Sequence, residues 1–290
     1  MLTRRQFIGA AVGAAAAAGA AGSGVGMSAE AQNLKLTSYE LALGSLPAGL
    51  DGLRIVSLSD FHGKRFDDES ALPGLIARCA PDLIALPGDL LDRHHPEALP
   101  KALDLVDLCV AAAPTCYVPG NHENGLANRE DVYRAVAEHG ARVLIYDQEL
   151  VECRNGSLVV SGVPDPVAAG DWAGGVKSLA RAEDALPDGG RRPFSILLSH
   201  RPERFAAYVE AGFDLVLSGH SHAGQICLPG GIPLYIPNQS PPYRYVKGVY
   251  QERGTTMVVS AGLGETGVGL RAFCPPEVVL VTLRSAGADG

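Results

Sequence analysis

Leu83-Ile84-Ala85-Leu86-Pro87-Gly88-Asp89-Leu90-Leu91-Asp92 sets a strand-length apolar run against a glycine and a carboxylate. A short apolar run bounded by proline and glycine reads as a buried strand. The same arrangement recurs elsewhere. Arg54–Ser59 is apolar and stops at Asp60, with His62 two residues on. Cys116-Tyr117-Val118 ends at Pro119-Gly120-Asn121-His122, Ser195–Ser199 stops at His200, and Leu215–Ser218 ends at Gly219-His220-Ser221-His222. Segments with helical spacing lie between these runs: Glu69–Cys79, Glu97–Ala112, Arg129–His139 closed by Gly140, and Pro202–Ala211 with proline in its first turn. Alternating strands and helices predict an α/β fold. Leu34–Leu43 alternates as an edge strand, and Arg142–Tyr146 reads as a further strand. Gln148–Glu152 and Leu158–Gly162 read as a hairpin around Asn155-Gly156. The C-terminal part, with Thr256–Ser260 and Val278–Leu283, is rich in strands. Pro164–Gly175, bearing glycine and proline, reads as a surface loop.

In open α/β folds the carboxyl ends of strands converge on one crevice. Five strand ends here carry metal-binding groups: Asp60 with His62, Asp89, Asn121 with His122, His200, and His220 with His222. One histidine near a strand end is more often structural than a ligand, but five successive ends are hard to ascribe to chance. The set mixes Asp, Asn and His and holds no thiolate, which suits Mn, Fe, Zn or Co better than Cu(I) or an iron–sulfur cluster. It exceeds what one tetrahedral zinc needs. Two divalent metal ions sharing a bridging carboxylate would use all of it, and such a pair activates water and holds a phosphate across both centres. The glycines before Asp89, Asn121 and His220 are read as allowing the turns that aim these side chains outward.

The rest of the chain sets the context. Its 290 residues are 47% hydrophobic and 19% charged, enough for one domain with a sizeable core. A net charge of −8 argues against general nucleic-acid binding and against strong attraction to anionic membranes. Thr3-Arg4-Arg5-Gln6-Phe7-Ile8 opens a stretch without charge from Gln6 to Ala29, followed by Ala29-Glu30-Ala31. This resembles a twin-arginine (Tat) export signal over residues 1–31, cleaved near Ala31 or retained as an anchor. Residues 32–284 form the expected domain, and 285–290 a frayed tail. The six cysteines include no CxxC pair, so zinc-ribbon and thioredoxin readings fail. Scattered spacing favours small buried apolar residues over any of the 15 full disulfide pairings.

Asp60-Phe61-His62, Gly88-Asp89-Leu90-Leu91-Asp92, Gly120-Asn121-His122-Glu123, His200 and Gly219-His220-Ser221-His222 stand in the order D-x-H, GDxxD, GNH[DE], H, GHxH. The chain thereby resembles the calcineurin-like metallophosphoesterases over about residues 53–283. Gly219-His220-Ser221-His222-Ala223-Gly224-Gln225 is similar to the GHTHGGQ motif of a branch of exported or membrane-associated bacterial phosphoesterases. Ser221 and Ala223 are mild departures from it. The resemblance implies a four-layer α/β/β/α sandwich of two mixed sheets. It implies that Asp60, His62 and His222 bind one metal, that Asn121, His200 and His220 bind the other, and that Asp89 bridges them. It implies attack on phosphorus by a metal-bridging hydroxide, with His122 catalytic and Asp92 orienting it. Asp92 also reads as a helix N-cap.

The implied activity is hydrolysis of phosphodiester or pyrophosphate bonds outside the cytoplasmic membrane. A phosphate-ester substrate, of envelope lipid or sugar, and the Tat export machinery are the expected partners. A phosphate-scavenging phosphomonoesterase and a non-catalytic binding protein on the same scaffold are the alternatives. Arg65, Arg93, Arg201 and Arg271 are each able to pair with a phosphate, and the sequence does not choose among them. His94 and His95 follow the Asp89 loop, within reach of a substrate, and read more readily as exposed polar loop residues. Trp172 and Tyr243-Arg244-Tyr245 read equally as rim or as packing.

Overall fold

The computed structural model describes residues 31–166, 172–184, 193–267 and 269–286. The segment expected to be an export signal, residues 1–31, lies outside them except for Ala31. One six-stranded sheet runs β1 (Lys35–Leu43), β14 (Glu277–Ser285), β2 (Arg54–Ser57), β3 (Leu83–Pro87), β4 (Thr115–Val118) and β5 (Arg142–Val143). In it β2 to β5 are parallel, and β14 is antiparallel to β2 but parallel to β1. The second runs β12 (Gly248–Glu252), β13 (Thr255–Val259), β9 (Leu215–Ser218), β8 (Phe194–Ser199), β7 (Gly156–Val163) and β6 (Asp147–Cys153). Here β7, β8, β9 and β13 are parallel, with an antiparallel strand at each edge. A short hairpin, β10 (Cys227–Leu228) with β11 (Ile232–Pro233), stands apart.

Successive side chains on a strand face opposite ways, and both faces are covered here. Ile55, Leu83, Ala85, Ile196, Leu198 and Leu217 pack together between the sheets. Their neighbours Val56, Ile84 and Leu86 pack under helices α1 (Ala71–Cys79), α2 (Leu99–Ala112) and α4 (Arg129–Glu138). On the other side Leu197, Val216 and Met257 pack under α5 (Trp172–Asp184) and α6 (Phe205–Ala211). The result is four layers, helix, sheet, sheet and helix, which explains why the central strands are apolar without alternation. A single helical turn, α3 (Asn121–Asn124), follows β4.

The register aligns the strand ends that matter. Ser57 faces Ala85, Pro87 faces Val118, and Leu198 faces Leu217. Direct bonds then tie the two sheets at that end: Leu263 N–H, beyond β13, donates to Ser59 O, and Gly264 N–H donates to Asp60 O, both beyond β2.

Some expectations need correction. Arg142–Tyr146 is a strand only as far as Val143. Leu144 then turns inward between the sheets, and Tyr146 takes a left-handed φ of 52° before β6 begins. The loop expected over Pro164–Gly175 gives way to helix at Trp172, despite Gly174-Gly175. Val176, Leu179 and Ala180 bury there on the second sheet, and packing overrides weak helix propensity. Residues 167–171 lie outside the described residues. β14 extends through Ser285, whose N–H donates to Asp51, and residues 287–290 lie outside the description. All six cysteines are buried and free. Among the described residues no helix is long and apolar enough to cross a membrane.

Candidate metal centre

The loops after β2, β3, β4, β8 and β9 meet at one place. Their backbone is unusual: Asp60, His62, Asp89, His220 and His222 have φ of 52°, 52°, 55°, 66° and 49°. Left-handed backbone costs a non-glycine residue about 1–2 kcal/mol each. Surrounding bonds hold it. His220 N–H donates to the Asp60 carboxylate at 3.1 Å, and His62 N–H donates to Asp89 O at 3.1 Å.

Two glycines allow the loops to close. Gly88 has a φ of 92°, and a side chain there would also lie 2.7 Å from His200 Nδ1. Gly219 has no such torsion. Its role is close approach, because a Cβ would sit 1.7 Å from Ser59 Oγ and 2.2 Å from Asp60 Oδ2. The turn-forming role expected of the glycine before His220 is thus a matter of space.

The donor atoms fall into neighbouring groups. Asp60, His62 and His222 gather in one, Asp89, His200 and His220 in another. In the first, His62 Nε2 lies 3.2 Å from His222 Nε2, and Asp60 Oδ1 lies 3.3 Å from His222 Nε2. In the second, His220 Nδ1 lies 3.2 Å from His200 Nε2. Asp89 Oδ2 stands between, 3.1 Å from His200 Nε2 and 3.8 Å from His62 Nε2. All six side chains are buried.

This donor set fits divalent cations. The Nδ1 of His200 donates to Pro87 O at 2.9 Å, which leaves the Nε2 lone pair facing the Asp89 carboxylate. Two acceptors so close require a proton or a cation between them. Burial opposes charge on His200, but the carboxylates of Asp89 and Asp60 push its pKa up to about 10. Burial instead takes His62 down to about 3, against the pull of Asp89. Burial likewise disfavours ionised Asp60 and Asp89, yet the surrounding histidines hold both below the usual carboxylate range. The Asn121 Oδ1 atom is buried without a hydrogen-bond partner among the described residues, as a carbonyl ligand would be.

His122 lies beside this centre, its ring 4.7 Å from that of His62. Its Nδ1 is 3.0 Å from Asp92 Oδ1, and its backbone N–H donates to Asp89 Oδ1 at 2.9 Å. Burial lowers the His122 pKa, but the Asp92 hydrogen bond and the charge of Asp89 outweigh it and raise the net value. For Asp92 burial again works upward, and the bonds from His122 and from His94 N–H hold the carboxyl below its usual range. Asp92 caps no helix. The turn at Pro96–Ala98 begins after His95, and the Asp92 side chain faces His122 instead.

The other candidates separate. Arg271 is fully buried and donates to the carbonyls of Ala261, Gly262, Gly264 and Cys274, so it pins a loop and meets no phosphate. Arg65 is exposed and pairs with Glu69. Arg93 is exposed, and its Nε donates to His94 Nε2 at 3.3 Å. His95 is exposed beside Glu97. Trp172 is buried, donates to Pro164 O and packs on Tyr208; Tyr245 is buried against Phe205. Both belong to packing, not to the rim. Tyr243 donates to Leu234 O, and Arg244 is exposed above the Tyr245 ring. Of the four candidate arginines, Arg201 reaches the centre, with Nη1 3.0 Å from His220 Nε2.

Sequence reasoning gave no role to Glu123. Its carboxylate accepts N–H groups of Asp89, Leu91 and Gly120, locking the loops after β3 and β4 together. Burial and the charge of Asp89 push it up to about 7, partly offset by these N–H donors. The fourth letter of Gly120-Asn121-His122-Glu123 was the available signal. Asn238, whose Nδ2 lies 2.8 Å from His220 Nε2, had none, because it comes from a distant loop.

A family model described as calcineurin-like phosphoesterase matches residues 53–224. The metallophosphoesterase YkuE of Bacillus subtilis is 32% identical over 300 residues, which cover 98% of each chain. The phosphodiesterase YaeI of Escherichia coli is 27% identical over 235 residues, covering 79% of this chain and 82% of that one. Among solved structures, the sulfate thiohydrolase SoxB of Thermus thermophilus superposes with a TM-score of 0.51 at 13% identity. That match covers 81% of this chain and 57% of that one, and the likeness concerns the fold alone.

Proposed function

Since this chain belongs to the calcineurin-like phosphoesterase family and is a metal-dependent phosphoric ester hydrolase, we propose that it cleaves phosphodiester bonds at a two-metal centre. The observation that carries this reading is the meeting of six donor residues and the His122–Asp92 pair at one end of two sheets. Asp60, His62 and His222 would hold one cation, Asn121, His200 and His220 the other, with Asp89 between them. Bound there, two divalent cations supply positive charge against a phosphoryl group and make water a competent nucleophile at neutral pH.

The residues of the chain do the rest. Asp92 accepts the Nδ1 proton of His122, so Nε2 is the atom left to pass a proton to the departing alcohol oxygen. The raised pKa of His122 favours its acid form for that step. Asp92, held ionised, stabilises the imidazolium that precedes this transfer. Glu123 and the backbone N–H groups it binds keep Asp89 and Asn121 in mutual register. Water attacks phosphorus in line as the P–O bond to the alcohol breaks; the alcohol leaves with the His122 proton, the proton lost by the water passes to solvent, and no covalent bond to the protein forms.

The name phosphodiesterase carried by the E. coli relative supports the diester over the monoester. Arg4-Arg5 and the uncharged stretch after them support export by the Tat machinery and work outside the cytoplasmic membrane. Gly219–Gln225 supports the exported branch. An envelope lipid or sugar phosphoester is the substrate class this reading takes.

The test is to strip metals from the protein, restore Mn²⁺, and compare bis-p-nitrophenyl phosphate with p-nitrophenyl phosphate. Metal-dependent turnover of the diester is expected. Preference for the monoester would replace this reading by the phosphomonoesterase. No turnover of either, with metals bound, would replace it by a binding protein.

A further inference from the structure

Next to His220 lies a pocket of about 380 Å³, lined by Pro166, Arg201, Glu203, Arg204 and Asn238. It borders the metal centre, because its lining residues Arg201 and Asn238 both reach His220 Nε2, through Nη1 at 3.0 Å and Nδ2 at 2.8 Å. Its charge is balanced. The Arg201 guanidinium, which is buried, is taken up by Asp165 through Nε and by Glu203 at 3.4 Å. That leaves Arg204, exposed at the margin, against the remaining charge of the two carboxylates. A second phosphate would need surplus positive charge, which this group of four does not offer.

What the pocket does offer is an acceptor. Glu203 Oε2 is buried without a hydrogen-bond partner among the described residues. A buried carboxylate oxygen left unpaired is costly, and a ligand O–H relieves that cost. Guanidinium and amide groups supply donors beside it.

We infer that this pocket receives the alcohol part of a phosphodiester and selects one that carries hydroxyl groups, a polyol or a sugar, through Glu203. The inference rests on the proposed phosphodiesterase activity and adds the chemistry of the substrate. Glu203 is a specificity residue and takes no part in the proton transfers assigned to His122.

The test uses the full, Mn²⁺-loaded chain and two diesters. Glycerophosphoglycerol carries hydroxyls, and bis-p-nitrophenyl phosphate carries none. Glu203→Ala should lower kcat/KM for glycerophosphoglycerol at least about tenfold, through KM, the scale of one lost hydrogen bond to a charged group. The same variant should stay within about twofold of wild type on bis-p-nitrophenyl phosphate. Arg204→Gln, at an exposed position, should raise KM for the glycerol diester several-fold and leave the aromatic one alone.

An equal fall on both diesters, or none on the glycerol diester in either variant, would overturn the subsite. So would a wild-type protein that cleaves bis-p-nitrophenyl phosphate but leaves glycerophosphoglycerol intact. A wild-type protein that cleaves neither would overturn the phosphodiesterase reading itself, and the subsite with it.

Discussion

Asp92 Oδ1 lies 3.0 Å from His122 Nδ1, across the two loops that follow β3 and β4. The contact fixes which imidazole nitrogen is free and which way the ring faces. His122→Ala should keep its bound metal, measured as metal per chain, while kcat falls by about 10²–10⁴. Asp92→Asn should lose less, about 10- to 100-fold, because the ring stays but its tautomer and charge support do not. Wild-type kcat in His122→Ala would remove that residue from the chemistry.

Asp89 Oδ2 sits within 4 Å of histidines from both donor groups. Asp89→Asn keeps the shape but removes the charge that two cations would share. Metal content should drop below one ion per chain, and activity should disappear with it. Full activity in a metal-loaded Asp89→Asn protein would exclude the bridging role.

Glu123 joins three backbone N–H groups while fully buried. Glu123→Ala leaves those donors unsatisfied, at about 1–3 kcal/mol each in the buried limit. A fall in Tm of roughly 5–10 °C is expected from one or two such losses in a domain of this size. A Tm within about 1 °C of wild type would show that water replaces the carboxylate.

Arg271 separates a structural arginine from a phosphate-binding one. Arg271→Met strands several carbonyls and should lower Tm by several degrees. The fraction that folds should show wild-type KM. A selective rise in KM at unchanged Tm would return Arg271 to the substrate site.

Gly219 is limited by space, with Ser59 Oγ 1.7 Å from where a Cβ would stand. Gly219→Ala should push apart the loops that carry Asp60 and His220, and metal content should fall. Retained metal would mean that the Ser59 side chain rotates away.

The strand ends were legible because their cause is local. Buried strands need unbroken apolar runs, and the residue where each run stops is visible in Leu83–Asp89 or Leu215–His220. Trp172–Asp184 was not legible, since Gly174 and Gly175 argue locally against a helix that only Val176, Leu179 and Ala180 on the second sheet make favourable. Arg271 and Arg201 look alike in sequence. They differ by what surrounds them, four carbonyls for one and His220 with Asp165 for the other.

By itself, the sequence determined the α/β class, the chemical kind of the donors and their order along the chain. These depend on apolar runs, residue types and spacings. Only the tertiary structure decided which donors share a centre, and that Glu123, Arg201 and Asn238 attend them. The physical reason is visible in five donor residues whose backbone is left-handed at φ between 49° and 66°. No local preference selects that conformation. The close approach of two sheets, tied from Gly264 to Asp60 and His220 to Asp60, imposes it and aims the side chains at one another.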